Sequence, residues 1–314
     1  MKTKWGGSLV LVCMIALLCA IAAGADMCIV YYDTHLSLRI GGKELAEYRF
    51  AKVPYKPYMS VFRTPSGIDI LRDAPHDHLH HHALMFAIGV DGVDFWQEGN
   101  APGRQVHREF SDTGDLTPRY ESTGFIEQLD WLGPESERPL IQEKRTIHVF
   151  DPEEFGASLI SWEAELTVPE EKETATLTGS HYFGLGMRFV ESMDKEGTFF
   201  NADEAEGEPV RGDERLTRSR WCAYTSTADG KPVTAAMFDS PDNPRYPAWW
   251  FTMKTPFAYL SATQNLHREP MEVKAGAPLT LRYGVALWDG HVDPDTIEQL
   301  YKEWLATQET IKKD

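Results

Sequence analysis

Five of the chain's eleven histidines fall within seven residues of "DAPHDHLHHHALMF" (73–86): His76, His78, His80, His81 and His82. Asp73 and Asp77 stand among them. An imidazole titrates near neutrality and a neighbouring carboxylate can orient it, so these residue types together can take a proton and deliver one. Neutral imidazole is equally a ligand for divalent metals. Read as extended chain, the segment places His76, His78, His80 and His82 on one face and His81 on the other. Rings at i and i+2 are then ~7 Å apart, so two can converge on one ion or substrate, whereas four in a row span ~20 Å. His78 and His81 are the acid/base candidates, and His78 with His80 is the pair for a metal if one binds. The cluster is internal, which separates it from a terminal tag.

A second concentration lies between 218 and 251. "FDSPDNPRYP" follows an apolar run, so Asp239, Asn243 and Arg245 sit on a loop stiffened by Pro241, Pro244 and Pro247. Trp249 and Trp250 come directly after. Aromatic faces pack on the C–H surfaces of a sugar while a fixed carboxylate and guanidinium bond its hydroxyls, so the combination suits a carbohydrate. It would serve equally as a proline-rich corner over core tryptophans. Trp96 and Glu98 in "VDFWQEG", and His107 with Arg108 in "RQVHREF", join the candidates by their nearness in sequence.

The elements that must carry these groups read as β-strands. Short apolar or alternating runs such as "MCIVYY", "HLSLRI", "ALMFAIGV", "IQEKRTIHVF", "LISWEAELTV", "PVTAAMFD" and "LTLRYGVALW" are separated by "GGKE", "TPSG", "VDGVD", "ADGK" and "KAGAP". Helical spacing appears mainly at the end, where "DPDTIEQLYKEWLATQ" has Asp before Pro and then Ile297, Leu300, Tyr301 and Trp304. The pattern predicts an all-β chain, a large antiparallel β-sandwich closed by a short C-terminal helix. The acidic stretch "NADEAEGEPVRGDE" (201–214) lacks strand pattern and reads as a solvated loop, although loops at strand ends are also where sites are built.

Residues 1–25 have the layout of an export signal, with Lys2 and Lys4, an apolar core and small residues near Ala23–Ala25. The apolar run is shorter than the ~20 residues of a spanning helix, and no later segment is long and apolar enough to span. Residues 26–314 are then one exported domain, periplasmic or extracellular. The formal charge of −17 becomes about −19 without the signal, which repels phosphate backbones and disfavours nucleic acid as a partner. Cys13 and Cys19 lie in the signal, leaving Cys28 and Cys222, which could pair but form no disulfide framework. No phosphate loop, G-x-S-x-G elbow, H-E-x-x-H or EF-hand loop is present, which disfavours nucleotide cofactors and leaves either no cofactor or one divalent metal ion.

The ordered series "TPSG…RDAPHDHLHHHALMFA…GVDFWQEG…RQVHREF…RWCAY…AAMFDSPDNPRYPAWW…LTLRYGVALWDG" resembles the exported bacterial proteins called PmoA-like, over roughly Tyr48 to Asp289. Methane oxidation, which that label suggests, is rejected: a membrane monooxygenase subunit needs several spans, and this chain has none after its signal. The resemblance implies a galactose-mutarotase-like supersandwich and a role in polysaccharide or sugar-acid breakdown. It points to His76, His78, His80 and His81, to Trp96, His107, Arg220 and Trp221, and to Asp239, Asn243, Arg245 and Trp250. Two positions depart from the pattern it implies: His82 stands where an Arg is expected, and Ser240 where a His is expected.

These readings favour a carbohydrate-active enzyme working on a sugar, sugar acid or oligosaccharide by histidine-centred acid/base chemistry. Hydrolysis, elimination and epimerisation all remain open. In an elimination, Arg245 or Arg220 would neutralise a uronate carboxylate. A two-carboxylate hydrolase would pair Glu98 with Asp239. The alternatives are a non-catalytic carbohydrate-binding sandwich and a cupin-like single-metal enzyme. Convergence of the histidine cluster with the Asp239–Arg245 loop is the expectation on which the site rests.

Overall fold

Three hairpins show how the sequence sets the strand register. Gly41 and Gly42, Asp91 and Gly92, and Asp229 and Gly230 all have positive φ, as the central pair of a two-residue type I′ turn requires. They join His35–Ile40 to Lys43–Arg49, Gly89–Val90 to Val93–Asp94, and Trp221–Ala228 to Lys231–Asp239. The computed structural model describes residues 27–114 and 120–311, so the export-signal expectation lies outside the described residues.

Among the described residues all paired strands run antiparallel, in sheets of ten, eight and four strands. The ten- and eight-stranded sheets face each other across a core in which Tyr48 of one meets Phe125 and Trp162 of the other. Strand Lys231–Asp239 shows why the eight-stranded sheet is apolar on both sides. Val233, Ala235 and Met237 face the sandwich interior, while Ala236 and Phe238 face the C-terminal helix. That helix, Pro294–Ile311, is capped by Asp293, whose carboxylate accepts from the Thr296 amide at 2.8 Å. Its buried stripe is Ile297, Leu300, Tyr301 and Trp304, the spacing that the sequence predicts. Among the described residues no helix is long and apolar enough to cross a membrane.

Cys28 and Cys222 form no disulfide. Cys222 is buried in strand Trp221–Ala228, and burial pushes its thiol far above the ordinary range.

Candidate functional site

The histidine cluster is a closed loop and not the strand expected of it. Pro75 fixes φ and has no N–H to give a ladder. The backbone instead makes two successive turns, His78 N–H to Pro75 O and His81 N–H to His78 O, each at 2.9 Å. The Ala74 amide then reaches His81 O at 2.9 Å, and Asp73 bridges His82. The predicted two-face alternation is therefore lost. His76 and Asp77 are exposed, His78 and His80 half-buried, and His81 and His82 buried. Ala74 (φ 40°) and Ala83 (φ 47°) hold the left-handed conformation at the two ends, at about 1–2 kcal/mol each for a residue with a Cβ. Such strain persists only where the surroundings impose it, and it concentrates at functional sites.

At the loop's base lies a charge network in which His82 and Lys56 are buried, Glu98 is half-buried and Asp73 is exposed. His82 Nδ1 lies 2.8 Å from Asp73 Oδ1 and its Nε2 lies 2.8 Å from Glu98 Oε1. Glu98 Oε1 also accepts from Lys56 Nζ at 2.7 Å, and Asp73 Oδ2 accepts from Tyr58 Oη at 2.7 Å. Burial opposes the charged imidazole, but its hydrogen bonds to Asp73 and Glu98 outweigh it and hold His82 above the usual histidine value. Burial likewise opposes both carboxylates, yet His82 on each and Lys56 on Glu98 keep them below theirs. The position where the resemblance expects Arg thus carries an imidazole that bonds two carboxylates, which favours its charged form. Glu98 is in place because Asp94 accepts the amides of Trp96 and Gln97 at 2.7 and 2.9 Å, fixing the turn that presents both Gln97 and Glu98.

Above this base opens a cavity of about 370 Å³. His78, His80 and His81 form one wall, Gln97 and Tyr182 another, Arg211 and Glu214 a third, and Phe251, Met253, Pro256, Phe257 and Tyr259 supply apolar surface. Small-molecule sites occupy roughly 300–1,000 Å³, so the volume is that of a small ligand. The His81 ring stacks on His78 at 4.7 Å and packs on Tyr259 at 5.2 Å. Burial, with His80 and His78 beside it, pushes His81 down to about 2, so its imidazole is neutral at physiological pH. His80 is lowered as well, again by burial and then by His78. His78 Nδ1 lies 3.2 Å from Asp77 Oδ2, an ion-pair distance without hydrogen-bond geometry. Glu214 is buried; its Oε1 accepts from Arg211 Nη2 at 2.6 Å, while its Oε2 has no hydrogen-bond partner. His81 Nδ1 is buried without a partner too.

The expected convergence with the proline-stiffened loop does not occur: Asp239, Asn243 and Arg245 are absent from the cavity wall. Arg245 gives its guanidinium to the carbonyls of Gln264, Glu269 and Pro270. Gln264 lies past the opposite end of strand Tyr259–Thr263 from the Tyr259 that touches His81, about 16 Å along the chain at ~3.3 Å per residue. Asn243 donates to Asp239 Oδ1 at 2.7 Å in a buried pair. Arg220 and Trp221 both bond Glu298 of the C-terminal helix, at 2.9 and 2.8 Å. Trp250 is fully buried with Nε1 on Ser219 O, a core residue and not a sugar platform. The Glu98–Asp239 carboxylate pairing fails because Glu98 is committed to His82 and Lys56.

His107 belongs to a different network inside the sandwich. Its Nδ1 lies 2.7 Å from Glu127, which also takes the Tyr48 hydroxyl, and Tyr48 in turn accepts from Arg145. Trp96 lies beneath the cavity, fully buried against Phe183 and Tyr259. His76 is exposed on the loop. The rings of His78 and His80 are 5.7 Å apart, and among the described residues no group of three His, Cys, Asp or Glu is arranged to hold a metal ion.

The model of a family of unknown function, DUF6807, matches residues 35–302. The chain belongs to that family. No curated protein matches the sequence. Among solved structures, the alpha-galactosidase from Lactobacillus brevis is similar at a TM-score of 0.50 and 9% identity, over 88% of this chain and 42% of that one. This chain thus spans less than half of that protein, and the likeness is one of fold, a galactose-mutarotase-like sandwich. The Slr1438 protein from Synechocystis sp. PCC 6803 is a looser likeness, with a TM-score of 0.39 and 9% identity, over 87% of this chain and all of that one.

Sequence reasoning missed Arg211 and Glu214, which end the acidic stretch read as a solvated loop; Glu214 is only 4% exposed. Hairpin pairing of Glu208–Pro209 with Arg215–Arg218 carries them to the cavity. It also missed Lys56, Tyr182, Phe257 and Tyr259, none of which belongs to a recognisable motif. Gln97 was legible in principle, sitting between Trp96 and Glu98.

Proposed function

We propose that this protein is an exported carbohydrate-active enzyme that binds a sugar beneath the histidine loop and acts on it by histidine–carboxylate acid/base chemistry. The observation that carries the reading is that His81 and Glu214, two residues of the cavity wall, each hold a buried polar atom with no partner in the protein. Buried polar atoms are otherwise almost always paired, and a ligand rich in hydroxyls would pair both. The rings of Tyr182, Phe251 and Phe257 offer surface for the C–H faces of a pyranose. His78, with the Asp77 carboxylate 3.2 Å away, is the group to move a proton. Neutral His81 can accept or donate a hydrogen bond without competing for that proton. The alpha-galactosidase neighbour agrees with a sugar, through a shared fold only.

The test is a panel of mono- and oligosaccharides scored for binding by ligand-observed NMR and for turnover by product analysis. Binding and turnover are expected in the wild type, with turnover lost in His78→Ala and binding weakened in His81→Ala. Binding without turnover would leave a carbohydrate-binding module and sink the enzyme reading. No binding across the panel would sink both. Elemental analysis of dialysed protein beside the His78→Ala/His80→Ala variant decides whether that pair holds a divalent ion.

A further inference from the structure

We infer that the cavity selects an uncharged sugar and rejects the corresponding uronate; the inference rests on the sugar reading above and names its substrate class. A buried carboxylate needs a free cation to replace its water, best a guanidinium offering two donors. Among the described residues, the Lys and Arg side chains that line the cavity or sit at its base each bond a carboxylate. Arg211, the one Lys or Arg of the lining, is 83% exposed and gives its Nη2 to Glu214 at 2.6 Å, so it stands at the solvent edge and not as a buried, free guanidinium. Lys56 is fully buried and gives itself to Glu98 and the Trp96 carbonyl. His82 is held between two carboxylates.

Arg188 retains donors without partners, but it is 1% exposed and lies behind the Phe257 ring, its guanidinium carbon 3.5 Å from the ring centroid. Phe257 lines the cavity and Arg188 does not. The two arginines that could have served a uronate, Arg220 and Arg245, are engaged with Glu298 and with backbone carbonyls.

Against these engaged cations stands the buried Oε2 of Glu214. A sugar hydroxyl can donate to it; a uronate carboxylate can only repel it. A carboxylate oxygen without a hydrogen-bond donor, placed where the wrong ligand would sit, is a direct source of specificity, although Arg211 pairs the other oxygen and His181 Nε2 lies 3.9 Å from this one. His80 and His81 add no compensating charge, because burial keeps both below the ordinary histidine value. The net charge of −17 further disfavours an anionic ligand at a distance.

The experiment compares the methyl glycosides of galactose with galacturonate, and of glucose with glucuronate, by calorimetry and ligand-observed NMR at pH 7. The neutral member of at least one pair is expected to bind ten-fold or more tightly than its uronate, with Glu214→Gln narrowing the gap. Should that variant fail to fold, the wild-type comparison decides alone. Equal or tighter uronate binding overturns the inference and leaves the sugar reading intact. If that binding is lost in Arg188→Met, the anion is assigned to the guanidinium behind Phe257. Binding of neither member of either pair overturns the inference together with the sugar reading.

Discussion

His82 Nε2 lies 2.8 Å from Glu98 Oε1, the same oxygen that takes the Lys56 ammonium. With Asp73 on the other ring nitrogen, the imidazole can donate on both sides only when doubly protonated. Two cations and two carboxylates then balance at the base of the histidine loop, tying three separate segments of chain together. Removing His82 leaves Glu98, 11% exposed in its side chain, without one of its two cations, while Asp73 still reaches solvent. His82→Ala is expected to cost about 3–5 kcal/mol, the range for breaking a buried ion pair from one side. Urea unfolding measures it, and a loss below 1 kcal/mol would show that the network contributes little.

The same clasp has a defined pH window. His82 is raised above its unfolded 6.5, so its contribution is complete below that value and fades as pH rises through the folded pKa. Asp73 and Glu98 are lowered from 3.8 and 4.5, so theirs is present above those values and fades as pH falls. The stability difference between wild type and His82→Gln should therefore be greatest near pH 5.5–6.5, on these reference values. A difference that grew steadily up to pH 9 would contradict the imidazolium.

Gly186 lies directly below the cavity. A Cβ there would fall 1.7 Å from the Tyr259 hydroxyl and 2.8 Å from the Trp96 ring, and both side chains are buried and packed. Gly186→Ala should therefore cost about 1–3 kcal/mol by overpacking. It should also displace Tyr259 from His81 and weaken sugar binding. Thermal melting and the binding panel check the two halves; an unchanged melting temperature would mean the floor can yield.

The sandwich and its closing helix were legible because both are written in local pattern: short apolar runs such as "PVTAAMFD" bounded by turn residues, helical spacing from Ile297 to Trp304, and Gly-Gly or Asp-Gly pairs at the hairpins. The histidine loop was visible as composition and misread as geometry. Histidines at alternate positions fit a strand template; Pro75 was a readable sign against a strand, but the two strained alanines that bend the loop carry none. Alanine in the left-handed region cannot be foreseen, because nothing about Ala74 or Ala83 asks for it. Glu214 was hidden for the opposite reason. It sits in an acidic run whose neighbours are exposed, and only strand pairing turns it inward. The Asp239–Arg245 segment has the composition of a site, but its guanidinium and amide are spent on the fold's own backbone.

Asp239 offers the last test, and it bears on stability and not on the cavity. The residue is fully buried, Asn243 donates to its Oδ1, and its Oδ2 has no partner. Burial outweighs these bonds and pushes its carboxyl up to about 7, from 3.8. A carboxyl raised on folding costs nothing below its unfolded value, costs progressively more as pH climbs, and reaches its full penalty above the folded value. Here that penalty is roughly 4 kcal/mol above pH 7, at ~1.4 kcal/mol per pKa unit. Asp239→Asn keeps the oxygen that Asn243 needs and abolishes the ionisation. The variant should melt at a higher temperature than wild type at pH 8 and close to it at pH 4.5. A variant equally or more destabilised at pH 8 would mean that Asp239 is charged and satisfied in the folded protein, and that the segment around it holds a counter-charge.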